Sequence, residues 1–132
     1  MGSWGTAPFQ NDAAMDMVDG PIADDPQGDV WRAALVGSDT PYAEIVAACA
    51  VVAAALDPVP SPYLPERLID WLASYGSVFG PNDVRLALAA IEHVTDPSYR
   101  PPSRVVPVAI DRRHLDAIKE RLRYALAPSP AG

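Results

Sequence analysis

The sequence lacks several features that mark particular protein classes. Its 132 residues include one cysteine, Cys49, so the chain cannot form an internal disulfide and the disulfide-stabilised secreted class is excluded. No basic stretch followed by an apolar run opens the chain, so no secretory signal is predicted. The twelve consecutive apolar residues 45–56 fall short of the roughly 20 residues that a membrane span needs. We therefore expect a cytoplasmic protein with no membrane partner.

Patterns of known chemistry are also missing. No HExxH, CxxC, GxSxG, phosphate-loop or dinucleotide-binding pattern occurs. Two histidines and one cysteine, widely separated, do not make a zinc site. Cys49 lies within the apolar run with no adjacent base to activate it, which predicts an inert core thiol. The sequence therefore predicts no catalytic residue, no metal site and no cofactor.

What is present is the composition of one globular domain. Apolar residues make up 49% of the chain and charged residues 20%, which is ordinary for a soluble domain. Fifteen prolines and eight glycines divide it into short segments. We interpret residues 1–132 as a single helical domain, in which residues 1–10 form an N-terminal hook and residues 127–132 form a frayed tail.

Caps, breakers and apolar spacing predict six helices. Their ranges are 12–19, 29–36, 41–56, 65–75, 81–95 and 112–126. The third has Thr40 as N-cap and is apolar after Glu44 except for Cys49, which predicts a helix buried on all sides. Residues 100–110 contain three prolines and are predicted to form an extended crossing or an edge strand. The expected fold is all-α, a compact orthogonal bundle of about six helices around this central helix, with an N-terminal aromatic hook.

The N-terminal segment combines aromatic side chains with carboxylates. Trp4 and Phe9 are large apolar anchors, Asn11 is a good N-cap, and Asp12 and Asp16 lie one helical turn apart. In one interpretation the two aromatic side chains plug into the bundle as a structural hook. In the alternative, Trp4, Asn11, Asp12 and Asp16 line a pocket that binds a small molecule or metal ion, or acts as a cryptic hydrolase.

Charge is divided unevenly between the two halves of the chain. Residues 1–60 hold nine acids and one base, Arg32, whereas residues 61–132 hold eight acids and nine bases. The net charge is therefore −8 in the first half and +1 in the second, and an acidic field of this size attracts cationic partners. We expect a non-enzymatic interaction module of the immunity-protein or antitoxin type that binds a basic protein, with Asp24, Asp25 and Asp29 among its binding residues.

Nucleic acid is not an expected partner of a chain whose net charge is −7. The locally basic stretch, residues 100–124, would need exposed aromatic side chains beside its arginines to bind RNA. Tyr99 and Tyr124 are the candidates for that role. The sequence leaves the oligomeric state open.

The opening residues MGSWGTAPFQNDAAMD resemble the start of the bacterial domain-of-unknown-function family 4259, MGxWGxGxFxNDxAxD. The later segments LPERLIDWLASYG and VRLALAAIEHV are similar to the family's fourth and fifth segments, so the resemblance covers nearly the whole chain. Ala7, Gln10 and Met17 depart from the family, in which a glycine, an aspartate and an aromatic residue are common at these three positions. The resemblance implies a small, stand-alone helical bacterial protein and carries no catalytic residue with it.

Overall fold

The computed structural model describes residues 15, 28–36, 42–56, 65–75, 78–99, 110 and 112–126. Within these residues the chain forms five α-helices and no β-strand. They are α1 (Asp29–Val36), α2 (Tyr42–Ala55), α3 (Glu66–Tyr75), α4 (Pro81–Thr95) and α5 (Arg112–Leu126). The predicted all-helical fold is confirmed, and each of these helices agrees with a predicted range to within one residue at either end.

Three predictions fall wholly or largely outside the described residues. They concern the hook over residues 1–10, the crossing over residues 100–110 and the tail over residues 127–132. Of the predicted helix over residues 12–19, Met15 is described: it has helical backbone and packs half-buried against the core.

The helix α2 is enclosed along most of its length. Residues 45–53 are nine consecutive buried positions, and α1, α4 and α5 all pack against this helix. A helix without a polar face can be buried all round only when neighbours cover every side, and its many alanines let those neighbours approach closely. The prediction that residues 41–56 are buried along their whole length was wrong, because Glu44 and residues 54–56 are half-buried.

The helices α4 and α5 each bury one apolar stripe against α2 and against each other. The buried apolar residues are Val84, Ala87, Ile91 and Val94 in α4 and Leu115, Ile118 and Leu122 in α5. Spacings of three and four place these side chains on one helix face, so the opposite faces are left to solvent. None of the described helices combines the length and apolar character needed to cross a lipid bilayer.

Aromatic side chains connect α1 to α3. Trp31 of α1 is fully buried, and its ring lies edge-on to Trp71 of α3, with ring centroids 6.5 Å apart. The Trp71 ring also lies 6.0 Å from the rings of Tyr75 and Phe79. Tilted aromatic pairs at such distances contribute about 0.5–1.5 kcal/mol each beyond the area they bury. These rings therefore hold α3 to α1 and to the segment that precedes α4.

We expect the substitution Ala48→Leu to lower the free energy of unfolding by about 1–3 kcal/mol, because residue 48 is fully buried and a leucine side chain has to displace packed neighbours. Urea denaturation followed by circular dichroism measures the loss. Ala89→Leu adds the same atoms to the exposed face of α4 and should change the stability by less than about 0.5 kcal/mol. Equal losses in both variants would contradict the enclosure of α2.

Candidate functional site

An ion pair joins the start of α1 to the start of α4. The Nε of Arg32 donates to Oδ1 of Asp83 at 2.8 Å, and the Nη2 of Arg32 donates to Oδ2 of Asp83 at 3.1 Å. This two-point fork is the strongest geometry in which a guanidinium holds a carboxylate. The Arg32 side chain is 29% exposed and that of Asp83 is 13% exposed, so the pair is largely shielded from water.

The segment before α4 supplies the remaining partners of this pair. The Nη2 of Arg32 also donates to the Val78 carbonyl oxygen at 2.9 Å, and its guanidinium carbon lies 5.5 Å from the centre of the Phe79 ring. The Gly80 N–H donates to Oδ2 of Asp83 at 2.9 Å, while the Asp83 N–H donates to the Gly80 carbonyl oxygen at 3.0 Å. Asp83 therefore serves both as the counter-ion of Arg32 and as a cap of α4.

Gly28 lets α1 begin close to this segment. Its φ of 73° lies in the left-handed region that favours glycine. A Cβ at this position would lie 3.1 Å from two carbons of the Phe79 ring, which is closer than most Cβ contacts, so the ring would have to shift by a few tenths of an ångström. The Gly28 carbonyl oxygen accepts the Arg32 N–H at 3.2 Å, which forms the first turn of α1. A glycine here therefore permits the approach of α1 that brings Arg32 to Asp83.

Arg32 and Asp83 each stabilise the ionised form of the other. The hydrogen bonds from Arg32 lower the pKa of Asp83, and they outweigh burial, which raises it. The same contacts with Asp83 raise the pKa of Arg32. A general acid or base works best with a pKa near the working pH, so a carboxylate that stays ionised at neutral pH is poorly suited to proton transfer. The arrangement is that of a structural clamp between two helices.

Cys49 is also held in an unreactive state. It is fully buried, and its thiol donates to the Ala87 carbonyl oxygen of α4 at 3.3 Å. Burial raises the pKa of the Cys49 thiol, so the nucleophilic thiolate does not form at neutral pH. The predicted core position of this thiol is confirmed.

A serine, an aspartate and a histidine lie near one another at the end of α4. The Ser98 hydroxyl donates to Oδ1 of Asp96 at 2.6 Å, and the His93 ring lies edge-on to Tyr99 with centroids 5.3 Å apart. Hydrogen bonds from Ser98 lower the pKa of Asp96. An activated serine donates to an imidazole, whereas Ser98 donates to the carboxylate itself. This group therefore forms a turn that follows α4 and not a nucleophilic triad.

The predicted binding residues lie almost entirely outside the described part of the chain. Those outside are Trp4, Asn11, Asp12, Asp16, Asp24 and Asp25. Asp29 is described: it is the first residue of α1, its side chain is 78% exposed, and Nη1 of Arg32 approaches it at 3.4 Å. A carboxylate in the first turn is favoured by the helix dipole, and this one pairs with Arg32 while most of its surface is exposed to solvent. Within the described ranges, no three His, Cys, Asp or Glu side chains are grouped to hold a metal ion.

The outward face of α5 bears charged side chains and an aromatic ring. Its exposed members are Arg112, Arg113, Asp116, Glu120, Arg123 and Tyr124. Tyr124 is 74% exposed, and the guanidinium carbon of Arg121 lies 5.8 Å from the centre of its ring. Arg121 also donates to the Leu56 carbonyl oxygen just beyond the end of α2. Tyr124 therefore combines exposure with a neighbouring cation.

Two ion pairs lie on this side of the molecule. Arg112 and Asp116 pair at 3.8 Å, as their spacing predicts. Arg123 pairs with Glu92 of α4 at 3.4 Å, whereas helical spacing alone favours Glu120, three residues earlier, as its partner. The difference arises because the packing of α5 on α4 brings a carboxylate from another helix within reach.

Sequence reasoning missed the Arg32–Asp83 pair. Arg32 stood out as the single base among nine acids of the first half, which was a usable signal that it has a special partner. Asp83, three residues after Gly80, fitted a helix cap. Arg32 and Asp83 are separated by 51 positions in the sequence. Helical spacing predicts contacts only between residues within a few turns, so it could not predict this pair.

A protein-family model matches most of the chain. The model of a family described as a domain of unknown function (DUF4259) matches residues 2–101. That range contains α1 to α4, the Arg32–Asp83 pair and the whole acidic half, whereas α5 lies beyond it. No curated protein and no solved structure matches the chain.

We expect Asp83→Asn to lower the free energy of unfolding by about 2–4 kcal/mol, because it leaves a shielded guanidinium without its closest counter-charge and weakens the α4 cap. Chemical denaturation at pH 7 measures the change. The matched variant Asp116→Asn removes one partner of an exposed pair and should cost less than about 0.5 kcal/mol. Indistinguishable stabilities of the two variants would show that the fork does not support the fold.

The same pair predicts the direction of a pH effect. Since the pKa of Asp83 is lower in the folded chain than its ordinary value of 3.8, its contribution to stability is complete above about pH 4. That contribution is lost as the pH falls toward the folded-state pKa, where the carboxylate is protonated. The stability gap between the natural chain and Asp83→Asn should therefore shrink from pH 5 toward pH 2 in denaturation curves. A gap that stayed constant over this range would contradict the ionised fork.

Proposed function

We propose that the chain, which belongs to the DUF4259 family, a domain of unknown function, acts as a non-enzymatic interaction module of the immunity-protein or antitoxin type. Its acidic half binds a basic protein. The hydrogen-bond partners of Arg32 support this proposal most directly. The single base of residues 1–60 gives Nε and Nη2 to Asp83, an acid of the other half, and to Val78. Those donors are therefore used outside the acidic half, which keeps a net charge of −8 for the attraction of a basic protein.

The distribution of charge over the fold supports the same proposal. The described residues contain nine acids and eight bases, so the helical framework is nearly neutral. The rest of the chain contains eight acids and two bases, and it therefore accounts for −6 of the total charge of −7. Segregated charge of one sign accelerates association with a protein of the opposite sign and makes the binding salt-dependent.

The state of the buried ionisable groups favours binding over catalysis. Asp83 is held ionised by Arg32, and Cys49 is held protonated by its apolar surroundings. Neither has a pKa tuned toward neutral pH in the way that acid–base and nucleophilic catalysis need. Asp29, in contrast, is an exposed carboxylate at a helix start, which suits recognition of a cationic side chain.

We expect the chain, immobilised at low ionic strength, to retain a basic protein from an extract of its native host. The purified partner should then bind about tenfold more weakly to the triple variant Asp24→Asn, Asp25→Asn, Asp29→Asn, because three attracting carboxylates are gone. Isothermal titration calorimetry at low and high salt measures the affinity. The control, Glu66→Gln, Asp70→Asn, Glu120→Gln, changes the net charge equally at exposed sites elsewhere and should bind normally.

Two results would count against this function. One is that no cationic protein is retained, and the other is that both triple variants weaken binding equally, which would reduce the effect to net charge. Binding of Mg²⁺, Ca²⁺ or a small molecule that is lost in Asp12→Asn, Asp16→Asn would instead support the alternative, a pocket at the corner of Trp4, Asn11, Asp12 and Asp16.

A further inference from the structure

We propose that the site between α2 and α4, which α5 fills in this chain, binds an amphipathic, arginine-bearing helix of a partner protein. Three side chains form the buried stripe of α5: Leu115, Ile118 and Leu122. Their spacing of three and four is the pattern by which an amphipathic helix anchors in an apolar groove. The helix α5 is thus the occupant that the chain itself supplies, and the partner helix takes its place. This inference rests on the proposed function in taking a basic protein as the source of that helix.

The family match separates this site from its occupant. The matched residues, 2–101, include α1 to α4, whereas α5 begins at Arg112. Both helices that α5 packs against, α2 and α4, therefore lie in the matched part of the chain. Since α2 has no polar face, its α5 side has to be covered by an apolar surface. The site is a feature of the matched part, and its cover comes from outside that part.

One end of the site selects a helix that carries arginine. The Leu56 carbonyl oxygen, just beyond the end of α2, accepts a hydrogen bond from Nη2 of Arg121. Glu92, in the last turn of α4, pairs with Nη2 of Arg123 at 3.4 Å. The C-terminal ends of α2, α4 and α5 thus lie together, and free carbonyl groups beside a carboxylate favour cations there. A helix that replaces α5 therefore needs arginines six and eight positions after its first apolar anchor, as Arg121 and Arg123 follow Leu115.

The way in which α5 is held permits this exchange. In the Arg123–Glu92 pair, the two side chains are 57% and 48% exposed, and exposed pairs contribute little to stability because water screens them. The apolar stripe supplies most of the affinity, and a partner helix with the same stripe supplies it equally. Residues 96–111 connect α4 to α5, and a chain of this length reaches about 50 Å when extended, roughly twice the length of α5. The helix α5 can therefore leave the site while α4 stays folded.

A fluorescent peptide of residues 110–126, added to the full-length chain, tests the site by fluorescence anisotropy. It needs no protein from the host, so its failure is distinct from a failure of the proposed function. We expect weak binding to the natural chain, whose own α5 competes, and at least about tenfold tighter binding to the chain variant Ile118→Asp, because a carboxylate in the buried stripe loosens the chain's own α5. The control variant Ala117→Asp places the same side chain on the exposed face of α5 and should bind like the natural chain. Circular dichroism shows that each variant is folded.

A covalent link between α4 and α5 gives a second test, which does not depend on a destabilised variant. In the double variant Glu92→Cys, Arg123→Cys, a bis-maleimide joins the two new thiols, while the buried Cys49 stays unmodified. The linked chain cannot release α5 and should not bind the peptide. The same variant capped with a single-headed maleimide should bind it to within about threefold of the natural chain, because only an exposed pair is lost.

Peptide variants separate the site from general attraction between charges. Arg121→Ala in the peptide should weaken binding about tenfold, because the Leu56 carbonyl oxygen loses its donor. Arg112→Ala makes the same change in charge, but the partner of Arg112 is Asp116 of α5 itself, so the loss should stay below about threefold.

Four results would overturn the inference. One is a folded Ile118→Asp chain that binds no peptide at about 1 mM. Another is equal binding by the linked and the capped chains, and a third is equal weakening by the two peptide variants, since either would place the peptide elsewhere on the chain. The fourth is a dimer of the natural chain, seen by sedimentation equilibrium, that the link abolishes, because this would assign the site to the α5 of a second copy.

Discussion

Enclosure of α2 is the constraint on which the rest of the structure depends. Residues 45–53 offer no polar face to water, so burial of this apolar surface requires neighbours on every side. The helices α1, α4 and α5 provide them. This explains why α5 packs into the core although it lies beyond the residues that match the family: without Leu115, Ile118 and Leu122, one side of the central apolar surface would be exposed.

Around this core, polar side chains set the positions of the helices. The Arg32–Asp83 fork ties α1 to α4, and Asp83 also caps α4, so one carboxylate performs two structural tasks. Gly28 permits the close approach to Phe79 that this arrangement needs. Asp83 is held ionised and Cys49 is held protonated, so neither group is poised for acid–base or nucleophilic chemistry at neutral pH.

Charge is divided unevenly along the chain. The described residues hold nine acids and eight bases and are nearly neutral, whereas the remaining residues account for −6 of the total charge of −7. Such an arrangement suits recognition by long-range attraction, in which carboxylates increase the encounter rate and a few anchored side chains set the lifetime of the complex.

The positions of five helices, the burial of α2 and the inert state of Cys49 could all be read from the amino-acid sequence. They depend on signals within a few turns of chain: caps, prolines, and apolar spacings of three and four. Of the seven binding residues predicted from charge and aromatic content, Asp29 lies among the described residues, and all seven stay predictions. Tertiary packing decided that Arg32 meets Asp83, that Arg123 prefers Glu92 to its helical neighbour, and that Tyr124 is left exposed. Those outcomes depend on groups tens of residues apart in the chain, and local spacing carries no information about them.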